Sequence, residues 1–312
     1  MTVIATGSVA YDYIFTFNGR FGDQIIPDKT HLINLSFLVE TMVKRRGGVA
    51  ANYAYTLTLL GHPAAVLATA GSDAAEYRAW LEGLGIDCGG LRLLADEYTA
   101  TGFTTTDRDD NNIWGFYGGA MLRAGMLGLV DTVLDPEAVI IGPNAPDAMF
   151  RLVRECRESQ TPWVFDPAHQ LPHMTAADLE EGCRGAWIVI GNDYELELIR
   201  RRTGWDQTAL LELAEVVVTT LGREGSRIST RDGDFNIPPA PAHREVDPVG
   251  AGDAYRSGLV HGLLSKLDVE RAGRIASLAA TYVVEQTGTV EHRYTREEFA
   301  DRYCRAYGQD PW

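Results

Sequence analysis

The chain is short of cysteine and of positive charge, and each shortage removes a class of protein. Its four cysteines, Cys88, Cys156, Cys183 and Cys304, lie far apart. No pair has metal-ligand spacing, and no disulfide framework can be read from them. Against 28 Lys and Arg stand 43 Asp and Glu, a formal charge of −15. That balance disfavours nucleic acid and anionic membranes as partners, although a nucleotide needs only a local positive field. No apolar run is long enough to span a bilayer, and the N-terminus enters a strand-like run, Val3-Ile4-Ala5, without signal-peptide character. A soluble cytoplasmic protein is expected. Internal repeats and low-complexity tracts are absent. Two nucleotide fingerprints are missing as well. No Gly-x-x-x-x-Gly-Lys-Ser/Thr occurs, which excludes a P-loop enzyme. The first strand runs into Ala5-Thr6-Gly7-Ser8, so a nicotinamide reading lacks its Gly-x-Gly-x-x-Gly.

What remains is 312 residues at 45% hydrophobic and 23% charged, enough for one large α/β domain with a sizeable core. Short apolar runs at 3–5, 65–70, 138–141, 163–165, 187–190 and 216–220 read as strands. Helical patterns at 48–60, 74–84, 148–159 and 194–202 lie between them. This alternation predicts a mainly parallel sheet covered on both faces. Runs at 227–230 and 234–237, joined by Arg231-Asp232-Gly233, read as a hairpin. The tail reads as helices at 253–264, 269–286 and 296–307. Two stretches break the rhythm. Residues 11–45 hold Tyr13, Ile14, Phe15, Phe17, Phe21, Ile25 and Ile26 with little helical period. Residues 97–117 are rich in strand formers, Phe103, Ile113, Phe116 and Tyr117 among them. They predict either a small separate sheet or two hairpins extending the main one. Long non-helical insertions in an α/β chain favour a functional element.

The most informative stretch is Val246-Asp247-Pro248-Val249-Gly250-Ala251-Gly252-Asp253-Ala254-Tyr255-Arg256-Ser257-Gly258. It reads as a glycine loop entering a helix at Asp253. Gly250 and Gly252 let backbone amides crowd together, and with the free amides of a first helical turn they make an anion pocket. A carboxylate at the mouth of such a pocket adds repulsion. It makes sense as a general base that takes a proton from a hydroxyl attacking phosphorus. The plainer alternative is an N-capping Asp.

This loop resembles the C-terminal signature Asp-Thr-x-Gly-Ala-Gly-Asp of the ribokinase-like (PfkB) sugar and nucleoside kinases, with Pro248 at the Thr position. Three further motifs share the resemblance. In Arg46-Gly47-Gly48-Val49-Ala50-Ala51-Asn52, paired glycines open a helix and Asn52 follows one turn in. The family's Gly and Asn there hold substrate hydroxyls; the alternative is a helix start with a surface Asn. Gly191-Asn192-Asp193-Tyr194-Glu195 follows a strand. Its Asn192 and Glu195 offer oxygen ligands suited to Mg²⁺, directly or through water, and equally fit a capping box; the two readings are compatible. The resemblance implies the former. Thr220, Gly222 and Gly225 match the family's Thr-x-Gly-x-x-Gly at the carboxyl edge of the sheet, where ATP phosphates and ribose bind; a plain hairpin loop is the alternative.

The resemblance implies a ribokinase-like three-layer α/β/α domain, mainly parallel in its central sheet, with a small β-sheet lid. The core would comprise residues 1–10, 46–96 and 118–312, and the lid 11–45 and 97–117. A similarity to bacterial adenosine kinases of the actinobacterial type extends over residues 2–307. It implies a nucleoside pocket lined by Ser8, Asp12, Ser36, Gly48, Asn52, Phe103, Phe116 and Gln170. Asp12 is suited to a vicinal diol, with a helix- or turn-capping Asp as the alternative, and Phe103 and Phe116 to base stacking, with lid core as theirs. It also implies Asp253 as base, with Gly250, Ala251 and Gly252 presenting amides to the transferring phosphoryl group. ATP and Mg²⁺ are implied, with a monovalent cation such as K⁺ and a homodimer through the lid as further expectations. Asn111, Asn112, Gly118 and His169 depart from that branch's pattern. The expected activity is phosphorylation of a nucleoside 5′-hydroxyl, adenosine first. A sugar kinase of the same fold and a catalytically silent nucleoside-binding dimer stay open.

Overall fold

The computed structural model describes residues 2–25, 36–132 and 135–312. Ile26, counted above in the first irregular stretch, lies outside them.

Parallel pairing builds the larger sheet. Its nine strands run in the order Gly233–Ile237, Ser226–Thr230, Val216–Thr220, Ile188–Asn192, Trp163–Phe165, Ala138–Ile141, Val3–Thr6, Ala64–Gly71 and Leu91–Leu94. Six of its neighbouring pairs are parallel; the two at one edge, Val216–Thr220 with Ser226–Thr230 and Ser226–Thr230 with Gly233–Ile237, are antiparallel. The inner strands are apolar on both faces because helices cover both. On one side Val3, Ala5, Val66 and Val218 pack against helices Val49–Leu59, Ala251–Leu264 and Val269–Val284. On the other, Ile4, Val139, Phe165 and Val217 meet helices Pro146–Ser159, Ala176–Cys183 and Asp193–Thr203. Among the described residues no helix is long and apolar enough to cross a membrane.

The two irregular stretches do form a second, four-stranded sheet, in the order Thr41–Gly47, Ala10–Thr16, Ala100–Thr106 and Asn112–Tyr117. Its central pair is parallel and both outer pairs are antiparallel.

Three differences from the sequence reading bear on the site. The strand expected at 187–190 runs through Ile188–Asn192, because its ladder with Val216–Thr220 continues to the pair Asn192–Thr220. The helix expected to begin at Asp253 begins at Ala251, with Gly250 as its N-cap in the left-handed region (φ 84°). Asp253 therefore sits inside the first turn and is not a cap. Helices Ala176–Cys183 and Gln207–Leu213 and strand Leu91–Leu94 had no signal, being too short to show a period.

Gly48 shows how local chemistry fixes the approach to the site. It caps helix Val49–Leu59 with φ 93°, and a Cβ there would stand 2.6 Å from Ala10 N and Ser8 O. Gly48→Ala adds a disfavoured backbone conformation to a clash with backbone, so a loss of about 3 kcal/mol is expected. Urea denaturation measures it; an unchanged midpoint would mean that the junction yields at no cost.

Candidate active site

The carboxyl ends of the parallel strands meet the head of helix Ala251–Leu264 around a cleft of about 660 Å³. Asn192, Glu195, Thr220, Gly222, Gly225, Gly250, Ala251, Gly252 and Asp253 all line it. Every residue expected on the nucleotide side is thus brought to one place.

Asp253 forms part of the floor, open to the cleft and enclosed by protein elsewhere. Asn52 Nδ2 donates to its Oδ2 at 2.7 Å, joining the glycine-pair helix to the phosphate loop across 201 residues of chain. Burial pushes the Asp253 carboxyl up to about 6, against the pull of Arg256 and Asn52; the charges of Asp166 and Glu195 push the same way as burial. The carboxylate is still ionised at neutral pH and has a basicity suited to accepting a proton. The anion pocket is narrower than four amides. Ala251 N turns back to Pro248 O and Asp253 N to Gly250 O, whereas Gly250 N and Gly252 N make no backbone hydrogen bond among the described residues. The free amides are the glycine ones, where no side chain blocks approach. A Cβ on Gly250 would itself stand 2.8 Å from Thr289 Cβ. Asp247 steadies the loop, accepting from Val249 N at 3.0 Å and Gly288 N at 3.1 Å.

Asn192 and Glu195 do form a capping box. Asn192 Oδ1 accepts from Glu195 N at 2.8 Å, and Glu195 Oε2 accepts from Asn192 N at 2.7 Å. Each side chain keeps a polar atom free of this box. Burial raises the Glu195 carboxyl.

On the acceptor side, Asp12 lies in strand Ala10–Thr16 with glycines beside it. A Cβ at Gly47 would be 2.5 Å from Asp12 Oδ2, and one at Gly102 2.5 Å from Oδ1. The two glycines leave the carboxylate its space, and no hydrogen bond reaches it from the described residues. Burial raises its carboxyl. Asp12 does not itself line the cleft; its face of the small sheet is tied to the neighbouring loop, where its register partner Arg45 donates to Thr287 O at 2.8 Å and Thr289 lies between Gly47 and Gly250.

The register corrects one expectation. Asp12 pairs with Gly102, and Gly102 with Phe116, so Asp12 and Phe116 share that face. Phe103 is one residue on from Gly102 and projects from the opposite face, where it stacks on Tyr13 at 5.9 Å. Phe103 and Phe116 therefore do not line one pocket from the same chain. Trp114, two residues from Phe116, takes the expected place of Phe103: the rings are 5.8 Å apart and 11° from parallel.

Other expected pocket residues have structural duties. Ser8 Oγ accepts from Val49 N at 3.2 Å and its carbonyl from Ala50 N at 3.0 Å, so Ser8 closes the head of that helix beside Gly48. Ser36 is exposed, borders residues 26–35, and has no tie to the cleft among the described residues. Gln170 is half-buried in the turn Ala168–His173 and does not line the cleft, whereas His169 does. Asn111 and Asn112 serve a turn: Asn111 Nδ2 donates to both oxygens of Asp107, and Thr106 Oγ1 donates to Asn112 Oδ1 at 2.6 Å.

Sequence reasoning missed Asp166, Arg256 and Tyr53. A signal existed for one of them. Arg256 interrupts an apolar helix three residues after Asp253, and a buried cation requires an acid partner.

Residues 21–295 match the pfkB family of carbohydrate kinases. A nucleoside kinase of Methanothermobacter thermautotrophicus is 32% identical over 99% of this chain and 97% of its own length. A nucleoside kinase of Burkholderia thailandensis, solved in complex with inosine, superposes with a TM-score of 0.88 at 37% identity, covering 99% of both chains. The same protein in complex with ADP-inosine gives 0.86 at 38% identity, over 100% of this chain and 97% of the other. Motifs, cleft and relatives agree: the chain belongs to the pfkB family of carbohydrate kinases and is an ATP-dependent kinase of ribokinase-like fold.

Proposed function

We propose that the enzyme transfers the γ-phosphoryl group of ATP to the 5′-hydroxyl of a nucleoside, with adenosine as the first candidate. The observation that carries this reading is Asp253, held by Asn52 beside two free glycine amides at the head of a helix. Asp253 takes the hydroxyl proton as that oxygen bonds to the γ-phosphorus; the bond to the β-phosphate oxygen breaks and ADP leaves. Asn52 occupies Oδ2 and leaves Oδ1 for the hydroxyl. Gly250 and Gly252 amides face the charge that builds on the transferring group. Asp12 accepts two hydrogen bonds from the ribose diol. Phe116 and Trp114 offer stacking faces to the base, and closure of the small sheet over the cleft would exclude water.

The lining of the cleft favours Mg²⁺. Its two arginines are already paired, Arg223 with Glu245 and Arg256 with Asp166 and, at 3.9 Å, with Glu195, leaving Asp247 and Asp253 without a salt bridge among the described residues. A bare triphosphate would meet net repulsion there. Glu195 and Asn192 present hard oxygens suited to the ion or to its water shell; bound Mg²⁺ would neutralise phosphate charge. Dependence on K⁺ is a further expectation from the family resemblance, tested by its addition to the same assay.

Asp253→Asn is expected to lower kcat by roughly 10²–10⁴-fold with little change in nucleoside affinity. In the parent enzyme kcat/KM should fall as pH drops through about 6, because protonation of Asp253 removes the base. Normal turnover in the variant would sink the assignment.

Substrate class is decided by ATP consumption with adenosine, inosine, guanosine, cytidine, ribose and fructose. Nucleoside turnover supports the stacking face. Turnover restricted to free sugars would retain Asp253 and remove that role, as a sugar kinase requires. Nucleoside binding without ATP consumption would indicate the silent binder, for which a buried base has no use.

The outer face of the small sheet carries Met42, Phe103, Ile113 and Tyr117, each over 40% exposed. A second copy packed there would cover them, so sedimentation is expected to show a dimer at micromolar concentration; a monomer alone would count against it.

A further inference from the structure

At the cleft floor a charged pair is almost wholly taken out of water, and the reaction as written gives neither partner a task. Asp166 is 1% exposed and Arg256 6%. Asp166 gathers three elements of the fold. Its Oδ1 accepts from Arg256 Nη2 at 2.7 Å, and Arg256 Nε completes a fork on Oδ2 as an ionic contact without a hydrogen bond. Oδ2 also accepts from the Tyr53 hydroxyl. Tyr53 follows Asn52 on helix Val49–Leu59, so this bond fixes the helix that supplies the donor to Asp253. The remaining guanidinium nitrogen, Nη1, donates to Gly252 O at 3.0 Å and so fixes the glycine peptide of the phosphate loop. A second tie runs parallel to these: Ser257 Oγ lies 3.2 Å from Tyr53 O and 2.9 Å from Asp253 O.

Without Asp166 the guanidinium would have two other carboxylates to choose, Glu195, whose Oε2 is 3.9 Å from Nη2, and Asp253. Arg256 is three residues from Asp253, on the same helical face. An unanchored guanidinium would turn back onto Asp253 and occupy the oxygen that the hydroxyl needs. We infer that Asp166 is the positioning residue of this site: through Tyr53 and Arg256 it holds acceptor helix and phosphate loop in one register, and it keeps the guanidinium off Asp253. The groups facing Asp253 are Asn52 and Tyr53 from the acceptor helix, Arg256 from its own helix, Asp166 from the turn after Trp163–Phe165, and Glu195 from helix Asp193–Thr203. Their charges set the direction of each variant's effect.

The inference rests on the kinase reading, and its test is nucleoside-dependent ATP consumption followed across the acid and neutral range. Three variants are compared with the parent. Asp166→Asn removes a negative charge near Asp253, so the acid limb should move to lower pH by about one unit, with kcat reduced about tenfold or more. Arg256→Met removes the positive charge, and its limb should move to higher pH. Tyr53→Phe leaves the charges alone; kcat should fall about tenfold while nucleoside KM and the acid limb stay in place. Acid limbs that superimpose on the parent, or that move in the same direction for both charge variants, would overturn the inference, as would parental kcat in Tyr53→Phe. A merely structural role predicts lower thermal stability in Tyr53→Phe with parental kcat. Should Asp166→Asn fail to fold, the other two variants decide. An inactive parent would sink the kinase reading and this inference with it, whereas an active parent with indifferent variants would sink the inference alone.

Discussion

Everything at the cleft hangs on an ion pair that contributes little to stability by itself. Moving Asp166 and Arg256 out of water costs several kcal/mol for each ion, and their attraction offsets that only when the remaining polar atoms are also satisfied. Here they are met in part, by a fork of one hydrogen bond and one ionic contact, a tyrosine hydroxyl and a backbone carbonyl, while Arg256 Nε makes no hydrogen bond. An apolar pair of similar volume would do as well for folding alone. What it would not do is fix a direction. The fork admits one orientation of the guanidinium, and that orientation sets the phosphate loop relative to the end of strand Trp163–Phe165. Packing allows little drift on the other side of the helix, where a Cβ on Gly258 would be 2.7 Å from Ala276 Cα. The glycines of the signature thus divide their work: Gly250 and Gly252 serve the anion pocket, and Gly258 serves close contact between helices.

What was legible in the sequence was what is local in the sequence. The loop at 246–258 announces itself because its glycines, its acid and its helix are contiguous, and each limits the others. The nucleotide side was readable for the same reason: Asn192 and Thr220 end strands and Gly225 lies in the turn after one, and strand ends in an open α/β sheet face the ligand crevice. Asp166 and Tyr53 gave no such sign. They meet across 113 residues, and neither breaks a pattern where it stands. The error over Phe103 has a different origin. Aromatic density correctly marked strands, but a shift of one residue exchanges the faces. Only the pairing of Gly102 with Asp12 and Phe116 decides which ring looks inward. The two readings of Asn192 and Glu195 were never exclusive, since a capping box uses one oxygen of the glutamate and leaves the other.

The two halves of the site treat carboxylates in opposite ways, and under the proposed function that contrast separates chemistry from recognition. At Asp253 the charge is managed: one oxygen is held by Asn52, a cation stands one turn away, and burial raises its affinity for a proton. At Asp12 the protein supplies space and no donor, through Gly47 and Gly102 on the flanking strands. A group that must accept a proton needs a defined environment before substrate arrives. A group that must accept hydroxyl donors needs only to be free of competitors and bounded in position. The first demand fixes the phosphoryl end for any acceptor alcohol. The second leaves the choice of alcohol to the sheet face around Asp12, where Phe116 and Trp114 stand. Free sugars and nucleosides differ by a base, and only that face carries aromatic rings in line with Asp12. A change of acceptor within this architecture would therefore fall on the strands Ala100–Thr106 and Asn112–Tyr117, leaving the Asp166–Arg256 pair and the loop it steadies unchanged.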